Sequence, residues 1–189
     1  MVIIMKIGID IDDTLTNTKE QQLIYWPIYI SNNPQKGYTK KLPKSINEFG
    51  NEYIKIFWDT YRNKLSFNAT FKKDASKILN KLQKEGHELC IITSRPDEKY
   101  QNLHQLLKDW FEKNNIPINT IYSNIKNKGL FCKNNNIDLL IDDSIKHCKD
   151  CQSYNIKSIL FARNNKYKGL KTTSWNKVYK IIKNMQNNK

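Results

Sequence analysis

Ile7-Gly8-Ile9-Asp10-Ile11-Asp12-Asp13-Thr14-Leu15-Thr16 decides how this chain is read. An apolar run over 3–9 stops abruptly and passes straight into acidic residues. Such a short, mainly apolar run bounded by polar residues predicts a strand. Runs of the same kind occur at 88–92, 139–141 and 158–161, with a weaker one at 120–122. Helical spacing fills the intervals. Ile78, Leu79 and Leu82 mark one helix face, with Gly86 as its stop. Tyr100, Leu103, Leu106, Leu107, Trp110 and Phe111 mark another, which ends before Pro117. Strands alternating with helices predict the α/β class. Right-handed crossovers then give a Rossmann-like three-layer α/β/α sandwich.

One interval breaks the alternation. More residues separate Leu15 from the strand at 88–92 than a single crossover helix needs. The interval holds aromatic, helix-compatible stretches at 21–30 and 53–61, and a Pro/Gly/Lys-rich stretch at 34–43 between them. Loops of that length without structure are uncommon in compact domains. The expectation is a small helical cap over 17–74, inserted after the first strand of a core formed by 1–16 and 75–189. Residues 184–189 read as a fraying polar tail.

The composition excludes several classes. In 189 residues, 39% hydrophobic and 11% aromatic content argues against disorder. A chain of this length buries roughly 70% of its unfolded surface and needs no staple to hold its core. No apolar run reaches the ~20 residues of a membrane helix, and Lys6 interrupts the opening apolar residues too early for a signal peptide. A soluble, cytoplasmic protein is expected. The net charge of +14 permits an anionic partner. However, the lysines run from Lys6 to Lys189 beside Asn and Ile, a pattern of solvated faces rather than one footprint, so a nucleic-acid partner is not favoured. Cys90, Cys132, Cys148 and Cys151 do not resemble a disulfide framework in so long a chain. The Cys148-x-x-Cys151 pair has no second ligand pair nearby for a zinc site.

In parallel sheets, ligands sit outside the carboxyl ends of the strands, so the strand ends carry the chemistry. They read Asp10-Ile11-Asp12-Asp13-Thr14, then Thr93-Ser94-Arg95, then Asp142-Asp143-Ser144, with Lys126 and Lys128 starting a short helix before the last. Carboxylates meeting at one point disfavour joint ionisation, and a hard divalent cation removes that penalty. Arg95 is left between binding phosphate and pairing with Asp97. Aromatics such as Phe57, Trp58 and Tyr61 are candidates to stack a base, against the more frequent role of core packing.

These residues carry a resemblance. Ile7–Thr16 is similar to the D-x-D-x-T signature of the haloacid dehalogenase-like phosphohydrolases, Ile91-Ile92-Thr93 to their second motif, and Leu139-Leu140-Ile141-Asp142-Asp143 to their acidic fourth motif. Lys128, or in its place Lys126, stands where the third-motif lysine belongs. Within that superfamily, Thr93-Ser94-Arg95-Pro96 and Ile137-Asp138-Leu139-Leu140-Ile141-Asp142-Asp143-Ser144 most resemble the 5′(3′)-deoxyribonucleotidases and related bacterial nucleotidases.

The resemblance implies a Mg²⁺-dependent phosphomonoesterase with nucleoside monophosphates as substrates. Asp10 would be the nucleophile that forms an aspartyl-phosphate, and Asp12 the acid-base group. Asp10, Asp142 and the Asp12 carbonyl would hold Mg²⁺, with Asp143 orienting the metal's water. Thr93, Ser94 and Lys128 would bind the phosphoryl oxygens. Other small-molecule phosphatases of the superfamily and the polynucleotide 3′-phosphatases remain alternatives, the latter suited by the +14 charge. A receiver domain does not fit, because the third strand ends in Tyr122-Ser123-Asn124 without the Asp such a domain phosphorylates. No G-x-x-x-x-G-K-[ST] loop occurs either.

Overall fold

A computed structural model describes residues 4–33 and 50–187, the last with side chains from 54 onward in the second stretch. Six strands, β1 (Lys6–Ile9), β2 (Glu88–Ile92), β3 (Thr120–Tyr122), β4 (Leu139–Asp142), β5 (Lys157–Leu160) and β6 (Leu170–Lys171), form one parallel sheet in the order β3-β2-β1-β4-β5-β6. Seven described helices accompany them: α1 (Thr18–Ser31), α2 (Gly50–Phe67), α3 (Ala75–Lys84), α4 (Leu103–Lys113), α5 (Lys128–Asn134), α6 (Ile145–Ser153) and α7 (Trp175–Asn187). The chain is a Rossmann-like α/β protein. Between their polar end residues the central strands are apolar, as strands covered on both faces are: Ile7, Ile9, Leu89, Ile91, Leu139 and Ile141 are all fully buried.

The chain divides into two compact units, 1–15 with 71–189, and 16–70, against expected boundaries at 16/17 and 74/75. The smaller unit contains α1 and α2, which extend beyond the aromatic stretches that marked them; the Pro/Gly/Lys-rich stretch 34–43 lies outside the described residues. Two features of the larger unit differ from the sequence reading. The first strand starts at Lys6, not residue 3, and the tail expected at 184–189 is helical through Asn187. The cause is legible in α7: Trp175, Val178 and Ile182 recur at helical spacing and are buried, so a polar-looking segment has an apolar stripe to dock.

Helix closure explains part of the asparagine content. Asn115, Asn136 and Asn155 follow α4, α5 and α6 in the left-handed conformation, with φ of 53°, 53° and 60°. In each case the next residue donates its N–H back across the final turn: Ile116 to Phe111, Ile137 to Cys132 and Ile156 to Cys151, at 2.9–3.0 Å. Gly86 does the same for α3, with His87 N–H on the Leu82 carbonyl at 3.1 Å. These are Schellman-type closures, in which asparagine is the residue that best replaces glycine.

Gly129 fixes where α5 lies. A Cβ there would stand 2.5 Å from the carbonyl carbon of Asp150, in the backbone of α6. Only glycine lets the two helices approach so closely, and the residue before it is Lys128. Gly129→Ala should therefore cost about 1–3 kcal/mol, the usual range for overpacking. Thermal denaturation would show this as a fall of at least about 2 °C for a chain of this size; an unchanged midpoint would remove the close approach from the argument.

Candidate active site

Parallel strands deliver their C-terminal residues to one edge, and the chain reverses its direction of travel across the sheet between β1 and β4. A crevice opens at such a switch point. Asp10 follows β1 and donates its N–H to the Ile141 carbonyl of β4 at 2.9 Å; the carbonyl of Asp142 accepts from Phe161 N–H at 2.8 Å. The two acids are thus held side by side by the sheet itself. After Asp12 the chain turns sharply through Asp13, at φ 58°, and Leu15 N–H closes the turn on the Ile11 carbonyl at 2.9 Å.

Between the acids stands Lys128. Its Nζ lies 2.5 Å from Asp10 Oδ1 and 2.7 Å from Asp142 Oδ2, and the residue is 1% exposed. Asn127 positions it by capping α5, accepting from Leu130 N–H at 3.0 Å. Lys128, not the exposed Lys126, reaches the carboxylates. Thr93 closes β2 with its N–H on the Tyr122 carbonyl at 2.9 Å, and its Oγ1 accepts from Arg95 N–H at 3.2 Å. Ser94 donates its hydroxyl to the Ile125 carbonyl at 2.8 Å, so that proton is committed to the loop rather than to a phosphate.

Two residues take positions that the sequence did not assign. Arg95 pairs with Asp12, through Nε at 3.0 Å and Nη2 at 2.8 Å, and not with the exposed Asp97. His147 on α6 places Nδ1 3.2 Å from both oxygens of Asp142. A carboxylate only accepts, so this nitrogen carries the proton. A ring in the first turn after an acidic strand end was the available signal, hidden by its place beside the Cys148-x-x-Cys151 pair.

The electrostatics separate the acids. Burial pushes Asp10 up to about 8; Lys128 pulls against this, while the charges of Asp142 and Asp12 add to it. Burial also opposes ionisation of Asp142, but hydrogen bonds from His147 and Lys128 outweigh it and hold this carboxyl below its ordinary range. The two acids share Lys128 yet shift in opposite directions because Asp142 also has His147; the Ser144 amide donates to its Oδ1 at 2.8 Å as well. Asp143 is raised to about 6 by burial, then by Asp142 and Asp13. Lys128 stays above its ordinary value although burial opposes its charge, because Asp10 and Asp142 more than offset that cost.

One oxygen each from Asp10, Asp142 and Asp143 can be chosen so that all lie within 4.8 Å of one another. Oxygen-only carboxylate donors at this spacing fit a hard divalent cation such as Mg²⁺. Asp143, expected to orient the metal's water, is close enough to ligate directly. All four cysteines are free and buried, and none joins this cluster.

Phe57 is a correction. It is 1% exposed and lies in the aromatic core of the smaller unit, edge-on to Trp26 at 5.1 Å and to Tyr29 at 5.6 Å, with Tyr61 at 5.6 Å. Trp58 and Tyr61 pack against the same cluster, and Tyr61 also stacks on Tyr25 at 5.1 Å. Among the described residues of the smaller unit, these aromatics of α1 and α2 pack on one another and so hold the two helices together.

No protein-family model matches the chain, and no curated protein sequence matches it either. Its fold is shared with solved structures. A haloacid dehalogenase-like hydrolase from Streptococcus pneumoniae is 14% identical, with 94% of this chain and 98% of that one superposed at a TM-score of 0.65. A predicted phosphatase from Clostridium acetobutylicum is 16% identical over 96% of this chain and 100% of its own, with a TM-score of 0.68. A predicted phosphoglycolate phosphatase from Haemophilus somnus is 14% identical over 94% and 97%, with a TM-score of 0.64. The fold is the haloacid dehalogenase-like one.

Two measurements probe the acidic cluster. With its ionisation resisted until about pH 8, Asp10 in the metal-free protein contributes stability at low pH that is lost as pH rises through that value. Mg²⁺ bound by Asp10 would have to displace that proton, so its affinity should climb between pH 6 and 8.5 and its binding should release up to about one proton near pH 7. Calorimetry in buffers of different ionisation enthalpy reads both, and a flat affinity would contradict the burial argument. His147→Ala should weaken Mg²⁺ about 10–100-fold, as loss of a ligand's supporting partner does. An unaltered titration would leave His147 a bystander.

Proposed function

We propose that this protein is a Mg²⁺-dependent phosphomonoesterase that works through an aspartyl-phosphate, with nucleoside monophosphates as its favoured substrates. The observation that carries the reading is the convergence of Asp10, Asp142 and Lys128 at one sheet edge, with Asp12 two residues beyond Asp10. An Oδ of Asp10 attacks phosphorus; the P–O bond to the leaving group breaks, and Asp12 gives that oxygen a proton. Water then attacks the aspartyl-phosphate, Asp12 takes its proton, the phosphorus–Asp10 bond breaks and inorganic phosphate leaves. Lys128 and Thr93 are assigned to the phosphoryl oxygens, whose charge must be balanced throughout the transfer. Asp10, Asp142, Asp143 and the Asp12 carbonyl would hold Mg²⁺, which would supply positive charge that keeps Asp10 ionised and offsets that of the phosphate.

The nucleotide preference rests on the likeness of the strand-end motifs to the deoxyribonucleotidases, and the inserted unit 16–70 is the assigned place of substrate choice. A second reading, a small non-nucleotide phosphomonoester, is favoured by the phosphoglycolate phosphatase among the structures that share the fold. The surplus of basic residues supports the third, a polynucleotide 3′-phosphate.

A phosphate-release screen over nucleotides, sugar and carboxylic-acid phosphates and 3′-phosphorylated oligonucleotides separates these. Nucleoside monophosphates such as dUMP should be preferred, with EDTA silencing the reaction and Mg²⁺ restoring it. Asp10→Asn should lower release by on the order of a thousandfold or more with an unchanged fold. Normal turnover by that variant would dismiss Asp10 as the nucleophile. Preference for the oligonucleotide with steep inhibition by salt would move the assignment to nucleic-acid ends.

A further inference from the structure

Behind the carboxylate of Asp12 lies a buried guanidinium. Arg95 donates from Nε to Oδ2 at 3.0 Å and from Nη2 to Oδ1 at 2.8 Å, a two-toothed grip that fixes the plane of the acid as well as its position. The side chain of Arg95 is 5% exposed and that of Asp12 36%, so the carboxylate is gripped from the protein side and open on the other. The fork approaches from the protein side, and the exposure of the Asp12 side chain lets a leaving-group oxygen or a water reach the carboxylate from solvent.

Arg95 is itself held. Its N–H is on Thr93 Oγ1 at 3.2 Å, and its carbonyl accepts from Asn124 N–H at 2.9 Å. Its guanidinium lies 5.8 Å from the Trp110 ring centre, and Trp110 packs on Phe71 at 4.7 Å and Phe111 at 5.5 Å. Burial opposes a charge at this position, and Asp12 more than offsets that cost. An exposed ion pair between two loops contributes little and fixes little. This one joins the ends of β1 and β2, 83 residues apart in the chain, and its other end is anchored in packed aromatic rings.

We infer that Arg95 is the positioning residue of Asp12: it holds the acid-base carboxylate in the plane and direction in which it exchanges a proton with the leaving group and then with water. The inference rests on the phosphatase reading. It gives Arg95 no contact with substrate, which sets it apart from a phosphate-binding arginine. A lysine cannot replace it, since a single ammonium point cannot hold both oxygens in one plane.

The test is steady-state hydrolysis of p-nitrophenyl phosphate by Arg95→Ala and Arg95→Lys, alone and combined with Asp12→Asn. Displacing a reacting group by about 1 Å costs on the order of a hundredfold, so kcat of both single variants should fall by about that factor with KM within about threefold. Guanidinium ion added to Arg95→Ala should recover about tenfold of the loss, and it should do nothing for the double variants, whose kcat should be no lower than that of Asp12→Asn alone. If Arg95→Ala does not fold, Arg95→Lys, which keeps the buried charge, reads kcat, KM and the double-variant comparison unaided. Loss confined to KM would make Arg95 a substrate ligand, and full additivity with Asp12→Asn, or wild-type kcat in the folded variants, would make it a structural tie; each overturns the inference. Turnover by the wild type that depends on Asp10 and Mg²⁺ upholds the phosphatase reading whichever way the Arg95 variants fall. Its absence would remove that reading and the inference with it.

Discussion

Asp10 and Asp142 face one another because the sheet leaves them no alternative, and Lys128 makes the encounter tolerable. β1 and β4 are parallel neighbours, so their carboxyl ends emerge together, and backbone bonds from Asp10 to Ile141 and from Phe161 to Asp142 tie those ends down. Two buried carboxylates at this spacing resist joint ionisation. A shared ammonium relieves the repulsion only if its helix starts at the right place. Gly129 provides that start by letting α5 press against the backbone of α6. A glycine on the far side of a helix interface is therefore part of the electrostatics of the site.

The acids are supported unequally, and the inequality has chemical content. Asp142 is gripped by Lys128, His147 and the Ser144 amide, which suits a group that remains charged and holds a cation. Asp10 is more weakly supported and its charge is resisted by burial, which under the proposed function suits a group whose charge is to be spent on a bond to phosphorus. Asp12 is the most open of the three and is steadied by Arg95. Three similar side chains at one edge thus acquire distinct chemistry from their neighbours rather than from their own identity.

Part of the asparagine-rich character of the chain is structural. Three of its helices are closed by asparagine in the left-handed region, and the isoleucine that follows returns the chain toward the core before the next strand. What looks like compositional drift toward Lys, Asn and Ile includes the punctuation of the fold. The aromatic stretches of the smaller unit carry a similar lesson: Phe57, placed among base-stacking candidates on its residue type, is consumed by packing with Trp26 and Tyr29.

From its sequence alone this protein declared a parallel α/β sheet and which residues stand at the carboxyl ends of its strands. Apolar runs and helical spacing are local signals, and the chirality of crossovers forces strand ends to a common side. The two-residue β6 was too short to leave such a signal, and the stripe of α7 was masked by the lysines and asparagines around it. Partnerships at the edge were a tertiary matter. Lys128 meets an acid 118 residues away, and Arg95 turns from nearby Asp97 to Asp12, 83 residues distant. His147 turns inward to Asp142 because of how α6 is rotated against the sheet. Such choices depend on helix placement and side-chain direction, which follow from packing across the whole core and which no local stretch of residues encodes.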